Sequence, residues 1–225
     1  MYILKKDDLK NPISLGEYMD EGPSVSRYNM KIAWTLFGQR EIVMADIEYN
    51  NGIPKLVNKK TIVNYNDSAS YIRLETQDFR PPLDEELIYT HYRGDEKDAF
   101  HHSQTYGYNI KTGKTTDYTH LPDSYNEAEG IFPDGKHILI ESDRHQPMQF
   151  RNQYNLDVYK LKLDGSGDVE RLADFSTRYP GRFRSDNPVV SRNGKFIALQ
   201  FGFMKGAGDG QWIFLFDVEK YEKSK

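Results

Sequence analysis

Gly22-Pro23-Ser24-Val25-Ser26-Arg27-Tyr28-Asn29-Met30-Lys31-Ile32-Ala33 and Asn187-Pro188-Val189-Val190-Ser191-Arg192-Asn193-Gly194-Lys195-Phe196-Ile197-Ala198 are two copies of one pattern. Pro, Val, Ser, Arg, Ile and Ala recur between them without a gap, 165 positions apart, as Pro23 and Pro188 are. A third copy, Gly130-Ile131-Phe132-Pro133-Asp134-Gly135-Lys136-His137-Ile138-Leu139-Ile140, lies between. The pattern reads as a proline-led strand start, a tight polar turn and a short apolar strand, then a variable loop and another apolar strand. An internal repeat decides architecture before any local propensity does. It does not name a ligand, because one scaffold hosts many sites.

Around these copies, strand signals are dense and helix signals scarce. Apolar runs such as Lys31–Leu36, Glu41–Ile47, Glu86–Thr90, His137–Glu141, Leu156–Leu161, Phe196–Phe201 and Trp212–Asp217 are punctuated by Asn51-Gly52, Asp134-Gly135, Asp164-Gly165 and Asn193-Gly194. Asn-Gly and Asp-Gly supply the positive φ that tight hairpins demand. No window carries a capped i, i+3, i+4, i+7 apolar stripe. Closely spaced strands with such turns mean an antiparallel meander. Grouped by repeat, the units are 18–63, 71–121, 124–176 and 182–221, each expected to hold four strands, A to D. That period predicts an all-β fold, a β-propeller of four-stranded antiparallel blades in one domain over 1–225.

The totals agree and exclude several function classes. The chain has 225 residues, enough to bury a sizeable core, and 13% aromatic residues, which chains that fail to fold usually lack. Its mean hydropathy of −0.77 points to large polar loops. A net charge of −4 without a basic stripe argues against nucleic acid as a partner. No apolar run approaches the length of a membrane span, and the first residues do not form a signal peptide. With no cysteine there is neither disulfide framework nor thiolate chemistry.

Phe132-Pro133-Asp134-Gly135-Lys136-His137-Ile138, followed by Asp157-Val158-Tyr159-Lys160-Leu161-Lys162-Leu163-Asp164-Gly165 and Arg171-Leu172, resembles the PD40 (WD40-like) repeat of TolB-like propellers. Phe132 stands where that repeat usually has Ser. The stretches Pro23 to Asp46 and Asn187 to Asp217 are weaker copies, and Asn126-Glu127-Ala128-Glu129-Gly130 with Ser185-Asp186-Asn187-Pro188 resembles uncharacterised exported bacterial propellers. The resemblance implies a periplasmic or exported setting. It also implies a ring of more blades than the four readable here, so an incomplete or open ring, shortened on its N-terminal side, is expected.

In such blades the A–B and C–D turns share one face; the B–C loops and the blade-to-blade D–A links share the other. Length variation concentrates in the B–C loops, from Gly38-Gln39-Arg40 to the stretches 93–105, 142–155 and 202–210. Loops lengthened on one side of a rigid ring mark a binding face. Ahead of strands A, the same face is expected to gather Tyr18, Asp20, Glu21, Asn126, Glu127, Glu129, Arg184, Asp186 and Asn187 at the channel mouth, joined by Arg144 and His145. Glu127, Glu129, Arg144, His145, Arg184, Asp186 and Asn187 are the candidate ligand-binding residues. The arginines with Tyr125, Phe150, Tyr154 and Phe183 suit an anionic or sugar ligand.

Catalytic signatures are absent from the residue pattern. His101, His102 and His145 with Glu127, Glu129 or Asp186 would suit a divalent metal by donor type. Adjacent histidines point apart in extended chain, however, and no His-x-His spacing occurs, so solvated loop histidines are the expectation. Gly206-Ala207-Gly208-Asp209-Gly210 precedes a strand, so it is no phosphate loop. No Gly-x-Ser-x-Gly elbow is present. Asp134 and Asp164 read as turn formers. The expected function is a non-catalytic module engaging a protein or glycan without a cofactor. The alternative is a metal-dependent carbohydrate-active enzyme of the oligogalacturonate-lyase type.

Overall fold

The Asn-Gly and Asp-Gly turns make hairpins, and the chain folds almost wholly as antiparallel strands joined in sequence order. The computed structural model describes residues 1–5, 7–68, 70–94, 102–151, 155–179, 183–203 and 210–224. A two-stranded hairpin comes first, β1 (Tyr2–Lys5) with β2 (Asp8–Ser14). Three four-stranded sheets come next. The first holds β3 (Ser24–Val25), β4 (Lys31–Leu36), β5 (Glu41–Asn50) and β6 (Ile53–Asn64). The second holds β7 (Tyr71–Phe79), β8 (Glu86–Gly94), β9 (Ser103–Asn109) and β10 (Thr115–Asp117). The third holds β11 (Asn126–Ile131), β12 (His137–Ser142), β13 (Asp157–Lys162) and β14 (Val169–Arg171). After a helical turn, α1 (Phe175–Arg178), comes a fourth sheet of β15 (Phe183–Val190), β16 (Phe196–Phe203) and β17 (Gly210–Asp217). It has three strands, where four are expected in each unit. The chain leaves β17 directly into helix α2 (Val218–Ser224), capped where the backbone N–H of Lys220 donates to the Asp217 carboxylate at 3.0 Å.

The repeat is visible bond by bond. The N–H of Ser26, Phe132 and Ser191 each closes the A–B turn onto the carbonyl of Lys31, His137 and Phe196, at 2.8, 3.0 and 2.8 Å. Arg80 does the same to Glu86 across a turn one residue longer, which is why Phe79-Arg80-Pro81-Pro82-Leu83-Asp84-Glu85-Glu86 lacks the Asp-Gly signal. A second bond then ties the end of the third strand to the residue ahead of the second. Ile47, Ile110, Leu163 and Val218 donate to the carbonyls of Met30, Glu85, Lys136 and Lys195. Asp134 and Asp164 act as the turn formers they were read to be, accepting the N–H of Lys136 and Ser166 at 2.8 and 2.9 Å.

Each sheet stacks on the next through apolar side chains. Ala33, Ile42 and Met44 of the first sheet meet Ile72, Leu74 and Leu87 of the second. Ile88 and Tyr118 meet Ile138, Ile140 and Leu161 of the third, whose Leu139 and Val158 meet Ile197 and Leu199 of the fourth. Burial at about 25 cal/mol per Å² of apolar surface makes this stacking the main stabilising term. The hairpin covers the front of the first sheet, where Met1 packs with Ile32, Trp34, Val43 and Ala45. The result is an incomplete β-propeller, an open series of sheets with inner strands β3, β7, β11 and β15. Among the described residues no helix is long and apolar enough to cross a membrane.

Candidate functional site

Register places an acid at one equivalent position on three inner strands and just ahead of the fourth. Glu75 of β7 lies opposite Thr90, Glu127 of β11 opposite Glu141, and Asp186 of β15 opposite Gln200. In the first sheet Glu21, just ahead of β3, is opposite Thr35: its carbonyl accepts the Thr35 N–H at 3.0 Å and its own N–H donates to Thr35 Oγ1 at 2.9 Å. Thr35, Thr90, Glu141 and Gln200 are themselves equivalent positions on the second strands. The four acids thus share one register position; Glu75, Glu127 and Asp186 act on the same buried group of carboxyls, while Glu21 is exposed.

Just beyond these acids, three of the inner strands carry a bulge, between Thr76 and Asp78, Ala128 and Ile131, and Asp186 and Val189. A bulge inserts one residue and re-aims the side chains beside it. On β11 this brings Glu129 round beside Glu127, and both meet Glu141, so that oxygens of the three carboxylates lie within 4.8 Å of one another. Gly130 in the same bulge is required by the close approach of β15. A Cβ there would lie 2.8 Å from the Val190 nitrogen and 3.0 Å from the Pro188 carbonyl.

None of Glu127, Glu129 and Glu141 has an ion pair among the described residues. Tyr125 donates its hydroxyl to Glu127, and the Asn187 N–H donates to Glu141. The Tyr92 hydroxyl oxygen lies 2.7 Å from Glu127 Oε1 and 2.8 Å from Glu75 Oε2. One O–H donates once, so the second contact requires a proton on one of those carboxyls. Burial, then the Glu75 charge, pushes Glu127 up to about 8. Burial and the neighbouring acids raise Glu129 and Glu141 well above the carboxylate range, and burial with the Glu127 charge raises Tyr92 and Tyr125 above the usual phenol range. Asp186 is also raised, by burial, although its carboxylate lies 2.7 Å from the Arg184 guanidinium.

The candidate residues thus divide into two groups. Glu127, Glu129, Arg184, Asp186 and Asn187 gather at the acidic centre. They lie within β11 and β15 rather than ahead of them as expected, because each strand starts before its apolar run, β11 at Asn126 and β15 at Phe183. Arg144 and His145 belong to a separate network. Arg144 donates to Asn126 Oδ1 at 2.7 Å and lies 5.5 Å from the Tyr159 ring centre. Both ring nitrogens of His145 are engaged, Nδ1 with the Tyr159 hydroxyl at 3.1 Å and Nε2 with Ser176 Oγ at 2.8 Å. Burial, then Arg171, lowers its pKa to about 4. Ser176 also donates to the fully buried Asp157, docking α1 on β13. His145 is therefore not the solvated loop histidine that was expected, nor does it join the acids as a metal ligand: its ring is spent on Tyr159 and Ser176. Of the other two histidines weighed, His102 precedes β9, where its carbonyl accepts the Arg93 N–H at 3.0 Å, and His101, with Tyr154, the Phe150 side chain and 206–209, lies outside the described residues. Among the described residues, the group that can hold a metal is the all-oxygen set Glu127, Glu129 and Glu141, donors for a hard divalent cation.

Glu75, Glu141 and Tyr92 were not singled out from sequence. A signal existed: Glu21, Glu75, Glu127 and Asp186 each stand five residues before the turn-closing Ser26, Arg80, Phe132 and Ser191. The described ends of the long connections meet beside this centre. The Ser103 N–H bonds the Ser124 carbonyl at 3.1 Å, Arg151 bonds the Asp123 carbonyl at 3.0 Å, and Ser124 Oγ donates to Asp143 at 2.6 Å.

No family model matches the sequence, and no curated protein matches it. Solved structures do match. TolB from Acinetobacter baumannii is 18% identical over 97% of this chain and 46% of its own, with a TM-score of 0.61. An acylaminoacyl peptidase of Pyrococcus horikoshii is 15% identical over 96% of this chain and 33% of its own, at 0.55. A luciferin-regenerating enzyme is 16% identical over 89% and 60%, at 0.52. The chain spans less than two thirds of the length of each. With its repeated turns and stacked four-stranded sheets, the chain has the TolB-like β-propeller fold.

Proposed function

We propose that this chain is a non-catalytic β-propeller binding module that engages its ligand on the long-loop face, above the acidic centre. The observation that carries the reading is the carboxylate at one equivalent register position in all four sheets, reinforced by Glu129 and Glu141, which have no ion pair among the described residues. Carboxyls kept protonated by burial and crowding ionise when a cation enters among them, so the centre suits a positively charged group. Of the two expected ligand classes, protein and glycan, this favours a protein that inserts a lysine or arginine side chain. A periplasmic or exported setting goes with the proposal. The test is binding of a panel of Lys- and Arg-bearing peptides and of an oligosaccharide array to the wild-type chain and to Glu127→Gln/Glu129→Gln. Basic peptides should bind the wild type and lose at least tenfold in the double variant, about 1.4 kcal/mol. Undiminished peptide binding by the variant sinks the reading.

The all-oxygen group favours one second reading, a metal-dependent carbohydrate-active enzyme. Elemental analysis together with a lyase and glycosidase screen, with and without EDTA, separates the two. A stoichiometric divalent ion whose removal abolishes turnover would put the enzyme first.

A further inference from the structure

Glu127, Glu129 and Glu141 all belong to the third sheet, which has a sheet packed on either side, so the group is complete within this chain. Glu141 is buried, while Glu127 and Glu129 are partly exposed and can be reached from solvent. Both oxygens of Glu127 are already met by a hydroxyl, Oε1 by Tyr92 and Oε2 by Tyr125, and Glu141 Oε1 accepts the Asn187 N–H. Neither carboxyl therefore keeps an empty two-oxygen edge. What remains is single lone pairs from three carboxyls, on oxygens within 4.8 Å of one another.

That set discriminates between two cations of equal charge. An ammonium carries three N–H bonds at the tetrahedral angle. With each donating at about 2.8 Å, its acceptors lie about 4.6 Å apart, inside the observed limit. A guanidinium is a planar fork that binds best to both oxygens of one carboxylate, and no such edge is vacant on Glu127 or Glu141. A second observation points to a bound donor. Asp186 is 2% exposed, its Oδ1 has no hydrogen-bond partner, and its charge reaches Glu129 and Glu141. A buried acceptor without a donor costs free energy that an incoming N–H removes. We propose that the acidic centre is selective for a primary ammonium, a lysine side chain of the partner, held by one oxygen from each of Glu127, Glu129 and Glu141 with Asp186 beside them. The proposal rests on the binding-module reading above and narrows its ligand from either basic side chain to lysine.

Three N-acetylated peptides that differ at one position, lysine, arginine or trimethyllysine, titrated into the EDTA-treated wild-type chain, test this. The lysine peptide should bind at least tenfold tighter than the arginine peptide. Trimethyllysine keeps the charge and loses every N–H, so it should bind at least tenfold weaker than lysine. Asp186→Asn and Glu129→Gln should each reduce the preference for lysine, with circular dichroism reporting the fold. The peptide comparison needs only the wild type, so it decides even where a variant unfolds. Arginine or trimethyllysine binding as tightly as lysine overturns the selectivity and leaves the binding module standing. Binding of none of the three overturns both.

Discussion

Arg80 shows how much one side chain can hold between two sheets. From the second sheet it donates to the carbonyl of Gly135 at 2.6 Å and of Leu163 at 2.8 Å, both in turns of the third. It also meets Glu86 at 2.8 Å and the Tyr118 hydroxyl at 3.0 Å. In the same atypical turn the wholly buried Asp84 accepts the Ser26 hydroxyl at 2.6 Å and the Tyr28 N–H at 2.9 Å. The turn that breaks the repeat therefore clamps the sheet before it and the sheet after it. Charge-assisted bonds to buried carbonyls contribute more than neutral ones, and their loss leaves acceptors unpaired. Arg80→Ala should cost about 2–3 kcal/mol in chemical denaturation. Arg80→Lys should recover less than half of that loss, because an ammonium cannot span both carbonyls and Glu86.

At the scale of the element, the inner strand β11 is set by its bulge. Gly130 lets the β15 backbone come close enough that any side chain there would push Pro188 and Val190 away. Gly130→Ala should therefore destabilise the protein by about 1–3 kcal/mol, in the range of overpacked sites, with a lowered melting temperature as the readout. Turns and sheet order were legible in the sequence because Asp134-Gly135 and Asn193-Gly194 announce themselves and the repeat fixes the strands on either side of them. The acidic centre was legible only in part. Glu127, Glu129 and Asp186 stand out as acids near a repeat boundary, yet a strand read from its apolar residues begins too late to include them. Glu75 is hidden because the longer turn after it removes the Asp-Gly landmark. Glu141 closes an apolar run, and only the pairing with Glu127 shows which way it faces. The missing fourth strand of the last sheet had no signal of its own, since Val218–Ser224 extends an apolar strand without a break.

For the whole molecule, two sets of buried groups pull stability in opposite directions with pH. His91 and His145 have folded pKa values of about 4 against an ordinary 6.5, so the unfolded chain binds more protons between those values and stability falls as pH drops through that window. Glu127, raised to about 8 from 4.5, holds its proton longer in the folded state, so its contribution is lost as pH rises toward 8; Glu129 and Glu141 act in the same direction. Above 6.5 only the carboxylates remain active. Between 4.5 and 6.5 the histidines and the carboxyls oppose one another. From pH 6.5 to 8 the unfolding free energy should fall by about 1.4 kcal/mol per pH unit for each proton the folded state holds in excess, read as a declining melting temperature. Glu127→Gln should flatten that decline, and a profile still rising through pH 8 would contradict the assignment. The three-stranded final sheet carries one more consequence. Blades that touch only their neighbours share cooperativity along a line, and the terminal member has the least holding it down. Deuterium should enter the β17 amides of the isolated chain before those of β16, with the backbone of β12 and β13 the last to yield. Like a zip with one tooth missing, the arc comes undone from its tail.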